Sequence, residues 1–323
     1  MSSWSDLHAE LPVFPCSVDS LATPLQSYLQ HYGLKKVVEE TGATLALGHQ
    51  ELGGYRIHRS CWTPIGEVKA NLFVVTGYTD HLALYGPLYQ LALSQGFRIH
   101  SFDLPGHGLS SGERAAIDSF ETYQRLMDEL FATITREFRE PWLAIGLSTG
   151  GGLLLQRLLT QAEFRNTFIG VSALAPLLYI RRFEQVRRLY WLLRPFLRRV
   201  KRVFMPVSHD EAFNQFLETC DPLQPHYLSV RWVGAMYRWH RQMLDAPSQN
   251  YPVQIIQGTA DETVDGVRNL QCFESLFPKA QVDRVEGARH HLINEALPWR
   301  SVMESYLLAY WQRQLKKVAL IDE

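Results

Sequence analysis

The chain has 323 residues, 46% hydrophobic and 20% charged, with a formal net charge of −1. That length allows one α/β unit with a sizeable core, the charge balance gives no global pull toward nucleic acid, and no run of about 18 apolar residues offers a membrane-spanning helix. Cys16, Cys61, Cys220 and Cys272 are scattered, with neither a CxxC pair nor metal-ligand spacing, so free thiols in a reducing compartment are expected.

Residues 1–50 are mixed, punctuated by Pro12, Pro15 and Pro24, and read as an N-terminal extension. From Gly54 onward short apolar runs alternate with longer helical patterns. Strands are expected at Tyr55–Trp62, Leu72–Thr76, Phe97–Phe102, Trp142–Leu147, Phe168–Leu174, Val253–Gln257 and Gln281–Val285. Several are apolar throughout rather than alternating, the pattern of strands covered on both faces. Helical periodicity falls at Ala116–Arg139, Gly150–Ala162, Val264–Phe277 and Leu292–Lys316. Strands alternating with helices predict an α/β fold with a mostly parallel sheet and right-handed crossovers. In such sheets ligands sit beyond the carboxyl ends of the strands. The alternation breaks between about Pro176 and Pro247, a stretch rich in Arg and aromatics without an evident strand. The expected layout is therefore a core of 51–175 and 248–323, with 176–247 as a helical lid inserted over the sheet.

Gly146-Leu-Ser148-Thr-Gly150 fits G-x-S-x-G, directly after one expected strand and opening a helix. That is the setting of a nucleophile elbow, where a sharp turn needs small flanking residues. A phosphate-binding glycine loop is the competing reading, but the segment lacks both the G-K-[ST] ending and GxGxxG spacing. A serine hydroxyl needs a base, and the base needs an orienting acid. In this architecture they follow in the order Ser, Asp, His. Asp261 stands just past the strand Val253–Gln257, and His290 just past Gln281–Val285. Asp265 competes with Asp261 but falls in the helix. His291 competes with His290. Asp261 is also suited to capping the turn before Val264. Backbone N–H groups of Thr149 and of Tyr78, in the loop after Leu72–Thr76, are the expected oxyanion donors. Asp103 and His107 are expected to structure their loop. The triad chemistry calls for no metal or organic cofactor, and no cluster of metal ligands stands out.

Ser101-Phe-Asp-Leu-Pro-Gly-His-Gly-Leu-Ser-Ser-Gly112, Gly146–Gly150, Gly258-Thr-Ala-Asp261 and Gly287-Ala-Arg-His290 together resemble the monoacylglycerol lipase and lysophospholipase branch of the α/β-hydrolases, over roughly residues 50–315. Cys220-Asp-Pro-Leu-Gln-Pro225 resembles the bacterial lysophospholipases. The resemblance implies the α/β-hydrolase fold, a serine esterase working through an acyl-enzyme, and a single-chain lipid ester or other small ester as substrate. Members of the branch usually begin the oxyanion loop with His-Gly, where this chain has Thr76-Gly77. The branch also implies, as alternatives, a small-molecule carboxylesterase, a thioesterase or an aminopeptidase. A non-catalytic ligand receptor on the same scaffold is a reading from another class.

Residues 181–202 hold nine Arg or Lys against one acid, Glu184. Phe183, Val186, Tyr190, Leu193, Leu197, Val200 and Phe204 are spaced by threes and fours, predicting an amphipathic stripe that Pro195 splits into two helices. Contact with an anionic membrane surface is one expectation for this segment. Packing on the sheet domain with solvated arginines is the other. Trp191, Trp232, Tyr237 and Trp239 suit either an acyl pocket or the core of the lid. The first residues, Met1-Ser-Ser-Trp-Ser-Asp6, lack the basic and apolar regions of a secretory signal. The default expectation is thus a cytoplasmic protein, with a peripheral place at the inner membrane face as the further expectation.

Overall fold

The computed structural model describes residues 7–320, so the segment Met1–Asp6 lies outside the described residues. Its strands in chain order are β1 (Cys16–Ser17), β2 (Thr44–Leu52), β3 (Tyr55–Thr63), β4 (Ala70–Val75), β5 (Phe97–Phe102), β6 (Trp142–Leu147), β7 (Phe168–Leu174), β8 (Arg199–Lys201), β9 (Tyr227–Ser229), β10 (Gln254–Gly258) and β11 (Gln281–Val285). Nine of these form one sheet in the order β1-β2-β3-β5-β4-β6-β7-β10-β11. From β5 to β11 the pairing is parallel, and β3, β2 and β1 extend one edge antiparallel.

The sheet is covered on both faces, which is why its central strands lack polar alternation. In β4, Leu72 and Val74 point into one core while Phe73 and Val75 point into the other. The first core is closed by the helices Thr23–His31, Leu34–Thr41, Gly86–Ser94 and Leu297–Ala319, which contribute Tyr28, Val37, Tyr89 and Trp311. The second is closed by Phe120–Glu137, Thr149–Thr160, Val230–Leu244 and Gly266–Leu276, with Tyr123, Leu154, Trp239 and Phe273.

Two expectations are corrected. Residues 7–50 do not stand apart from the sheet. They supply β1 and most of β2, and β2 pairs with β3 along its whole length. Gly48 lets this strand pass under the Pro12–Phe14 backbone, where a Cβ would lie 2.7 Å from the Pro12 carbonyl oxygen. The second correction concerns the chain after Pro195. A helix runs only over Phe183–Leu193, and the next segment is the extended β8, paired antiparallel with β9. Val200 and Phe204 therefore belong to no helical stripe. Their spacing imitates a helical period, but ribbon pairing with Tyr227–Ser229 satisfies the backbone instead. Pro195 ends the helix as expected of a residue without an N–H.

The segment 176–247, expected as an insertion, is tied down around the carboxyl edge of the sheet. Its backbone N–H at Arg181 donates to Thr263 O (3.0 Å), and Val207 O accepts from His291 N (2.8 Å). Ser208 Oγ donates to Asn294 O (2.7 Å), and His209 Nδ1 meets Glu295 Oε1 at 2.9 Å. Trp232 stacks on Tyr78 with ring centroids 3.7 Å apart. No helix among the described residues is long and apolar enough to cross a membrane.

Candidate active site

Ser148 follows β6 at φ 52°, ψ −113°, a left-handed backbone setting that a serine adopts only when its surroundings enforce it. Here they do. Ser148 N donates to Leu174 O (2.8 Å), and Ser148 O accepts from Leu177 N and Gly152 N, both at 2.9 Å. The flanking glycines make the turn possible by close approach. A Cβ on Gly146 would lie 2.5 Å from the Gly150 carbonyl carbon, and one on Gly150 would lie 2.1 Å from Val75 O. The turn delivers Ser148 to the start of the helix Thr149–Thr160, whose first N–H groups have no intrahelical acceptor.

Asp261 and His290 come together at the neighbouring strand ends. Thr259 N donates to Val285 O (3.1 Å) and Ala260 N to Ala288 O (2.9 Å), drawing the loops after β10 and β11 against each other. Gly258 lets them close, since its Cβ would lie 2.4 Å from Ala288 O. His290 Nδ1 then lies 2.7 Å from Asp261 Oδ2, with both residues buried. Gln257 Nε2 donates to the same oxygen (3.0 Å), and Thr263 N and Val264 N donate to Asp261 Oδ1. Asp261 thus both meets the histidine and caps the following turn. Its rival Asp265 caps the next helix, accepting from Arg268 N. His291 turns the other way. Its Nε2 faces Asp80 Oδ2 at 3.5 Å, and its ring packs on Phe213 and Tyr85.

Electrostatics follow from this packing. Burial pushes the His290 pKa down, but the Asp261 carboxylate, its hydrogen bond and Asp80 together outweigh burial and leave it above the usual histidine value. Burial raises the Asp261 carboxyl, and His290 with the Val264 and Thr263 N–H groups brings it below the usual range. Among the described residues no hydrogen bond joins Ser148 Oγ to the imidazole. Such contacts are commonly loose without substrate.

The loop after β4 is built around a group the sequence did not single out. Asp80 is buried and accepts from Tyr85 Oη (3.1 Å), while Tyr85 Oη accepts from Gly77 N (3.1 Å). A Cβ at Gly77 would lie 2.7 Å from Asp80 Oδ2, so a side chain there would displace this carboxylate. Tyr78 Oη donates to Ala115 O (2.9 Å) and accepts from Ser229 N (3.4 Å), so the ring is held between core and insertion. The backbone N–H groups of Tyr78 and Thr149 donate to no acceptor among the described residues.

Asp221, in the Cys220–Pro225 segment, is a second hub missed by residue-level reading. It accepts from Tyr32 Oη (2.6 Å), His81 Nε2 (3.0 Å), Gln224 Nε2 (3.0 Å) and Leu223 N (3.0 Å). Burial would raise its pKa, but His81 and the hydrogen bonds bring it to about 2. For Asp80 the signal available was positional, since it follows a strand, and for Asp221 it was the resemblance of its Cys220–Pro225 segment, which assigned that aspartate no role. Asp103 holds its loop as expected, accepting from Leu82 N, Leu109 N and His58 Nδ1. Buried His107 meets Pro105 O, with its pKa lowered to about 4 by burial. Of the aromatics, Trp239 is core, packed over Gly152 and donating to Gln156, and Trp232 and Tyr237 are buried. Trp191 is half exposed.

Comparison with known proteins agrees with this architecture. The family model described as serine aminopeptidase, S33, matches residues 66–296. Monoglyceride lipase of Rattus norvegicus is 26% identical over 249 residues, covering 73% of this chain and 80% of that protein. Phospholipase YtpA of Bacillus subtilis is 26% identical over 242 residues, covering 70% and 89%. Among solved structures, a soluble variant of monoglyceride lipase from Saccharomyces cerevisiae, in complex with a substrate analog, superposes with a TM-score of 0.71 at 17% identity, covering 83% of this chain and 95% of that one. Monoacylglycerol lipase of Paleococcus ferrophilus gives 0.63 at 22% identity, covering 80% and 98%. With the parallel sheet, the elbow and a family match over well more than half its length, the chain belongs to the serine aminopeptidase (S33) family of α/β-hydrolases.

Proposed function

We propose that this protein is a serine esterase that hydrolyses single-chain lipid esters, monoacylglycerols or lysophospholipids, through an acyl-enzyme. The observation that carries the reading is the buried 2.7 Å His290–Asp261 pair at the strand ends beside the strained Ser148 turn. Ser148 Oγ attacks the ester carbonyl and gives its proton to His290 Nε2. Asp261 holds the imidazole with Nδ1–H toward itself and stabilises the imidazolium. The tetrahedral oxyanion is met by the N–H groups of Tyr78 and Thr149. Collapse expels the alcohol, which takes the proton from His290. Water then releases the acid by the same steps in reverse roles.

The lipid substrate is supported by the monoglyceride lipase and phospholipase relatives. The family's own description favours one other reading, peptide hydrolysis. The test is fluorophosphonate labelling and turnover on an ester series, with lysophospholipids and proline peptides alongside. Ser148→Ala is expected to lose labelling and about three to six decades of rate while still folding. Turnover retained in that variant refutes the nucleophile, and preference for acetyl over decanoyl esters refutes the lipid pocket. In the same reading, the insertion rests on anionic lipid. Phe196, Leu192 and Trp191 are exposed beside Arg187, Arg188, Arg194 and Arg198, the mixture that suits a membrane interface.

A further inference from the structure

A guanidinium keeps its charge in any protein environment, so an arginine drawn inward without a carboxylate is left with unspent hydrogen-bonding capacity. Arg202 is such a residue. It follows β8, its backbone N–H donating to His226 O (2.9 Å). Its Nη1 donates to Gln224 Oε1 (2.6 Å), and the Phe204 ring covers the guanidinium at 4.4 Å. Among the described residues no carboxylate lies within ion-pair distance of it. Among the described residues its one side-chain hydrogen-bond partner is a neutral amide that is itself fixed. Gln224 is buried, and its Nε2 is committed to Asp221. Asp221 is occupied by Tyr32, His81 and Leu223 and leaves Arg202 to Gln224.

The guanidinium is tied to the loop after β4: Gln224 joins it to Asp221, which accepts from His81 Nε2 (3.0 Å), the residue beside Asp80. Asp80 faces Nε2 of His291, the neighbour of His290, at 3.5 Å, and Ser229, in the strand β9 that pairs with β8, donates its N–H to Tyr78 Oη (3.4 Å). Tyr78 is the proposed second oxyanion donor. A fork of N–H donors beside that loop, held by an amide and lacking a carboxylate, matches the oxygens of a phosphate group.

We propose that Arg202 binds a phosphate carried by the substrate's alcohol portion. The preferred substrates are then single-chain glycerol esters bearing a phosphate rather than uncharged monoacylglycerols of the same chain. This rests on the esterase reading above. The bland alternative is that Arg202 only balances the buried Asp80 and Asp221 at a distance.

Two arms separate these. In the first, non-hydrolysable 1-O-alkylglycerol 3-phosphate, the matching 1-O-alkylglycerol and inorganic phosphate are titrated into the wild-type protein, Arg202→Gln and Arg202→Lys. The phosphorylated ether lipid is expected to bind wild type about 10–100-fold more tightly than the neutral one, with that preference lost in Arg202→Gln and partly kept in Arg202→Lys. Equal affinities in wild type, or a preference that survives Arg202→Gln, overturn the proposal. Inorganic phosphate binding as tightly as the phosphorylated lipid makes this a free-phosphate site and overturns the headgroup assignment. In the second arm, kcat/KM for 1-acylglycerol 3-phosphate should fall about 10–100-fold in Arg202→Gln while that for 1-acylglycerol stays within about twofold. An equal fall on both esters is the signature of a structural arginine and overturns it. Because the first arm needs no turnover, failure of the Ser148 assignment and failure of the Arg202 assignment are read separately.

Discussion

At the residue scale, His290 is under two opposed influences, and their balance has a measurable consequence. Burial favours the neutral ring, while Asp261 and Asp80 favour the imidazolium and prevail. The base form is therefore reached only above the ordinary histidine range, and the acid limb of kcat/KM for the free enzyme is expected above pH about 6.5. Asp261→Asn removes the charge that raises the pKa and leaves burial. The limb should then move to lower pH while the rate falls by about three to four decades, as measured in a pH–rate series. His290 and His291 are adjacent in sequence but have different partners, Asp261 and Asp80. His290→Ala should thus cost about a thousandfold or more in kcat, while His291→Ala stays within about tenfold. Comparable losses in both would remove the distinction drawn from their partners.

At the element scale, close backbone approach and buried polar ties set the geometry. The helix Thr149–Thr160 lies so near the end of β4 that a methyl at Gly150 meets Val75 O. Gly150→Ala should destabilise by about 3 kcal/mol, because the obstacle is backbone rather than a movable side chain. Asp221 joins three elements: the helix Thr23–His31 through the neighbouring Tyr32, the loop after β4 through His81, and the insertion through Gln224. Its carboxyl is held at about 2, below the unfolded value of about 3.9. A depressed pKa stabilises the fold above the unfolded value, and that contribution is lost as pH falls toward 2. Asp221→Asn is expected to cost about 3 kcal/mol near neutral pH, with the gap from wild type narrowing below about pH 3 in denaturant titrations.

At the scale of the whole molecule, the insertion has two unlike faces. Its helix Val230–Leu244 is absorbed into the second core through Trp232, Met236 and Trp239. The helix Phe183–Leu193 buries Phe183 but leaves Leu192 67% exposed, and just beyond it Phe196 is 81% exposed. Several apolar side chains exposed together among arginines suit an interface rather than bulk water. Co-sedimentation is expected with vesicles containing anionic lipid and not with neutral ones, weakening as salt is raised to about 0.5 M. The double change Trp191→Ser and Phe196→Ser should reduce it without altering turnover of a soluble ester. Binding indifferent to lipid charge would count against the arginines' part.

The sequence determined what local patterns can carry. Continuous apolar runs mark β4, β6 and β7 as covered on both faces, because strands so placed have no wet side. G-x-S-x-G marked the turn at Ser148 between a strand and a helix, and strand-end positions singled out Asp261 and His290, whose side chains meet at 2.7 Å. What it could not carry are relations between distant segments. The pairing of β2 with β3 drew residues 44–50 into the sheet, and β9 turned the segment after Pro195 into a strand where its apolar spacing had predicted a helix. Asp80, Asp221 and Arg202 gain meaning only from neighbours far along the chain, such as His291 for Asp80 and His81 for Asp221. The weight of a charge drawn out of water is set by what surrounds it, and for these three the surroundings are assembled only when the chain folds.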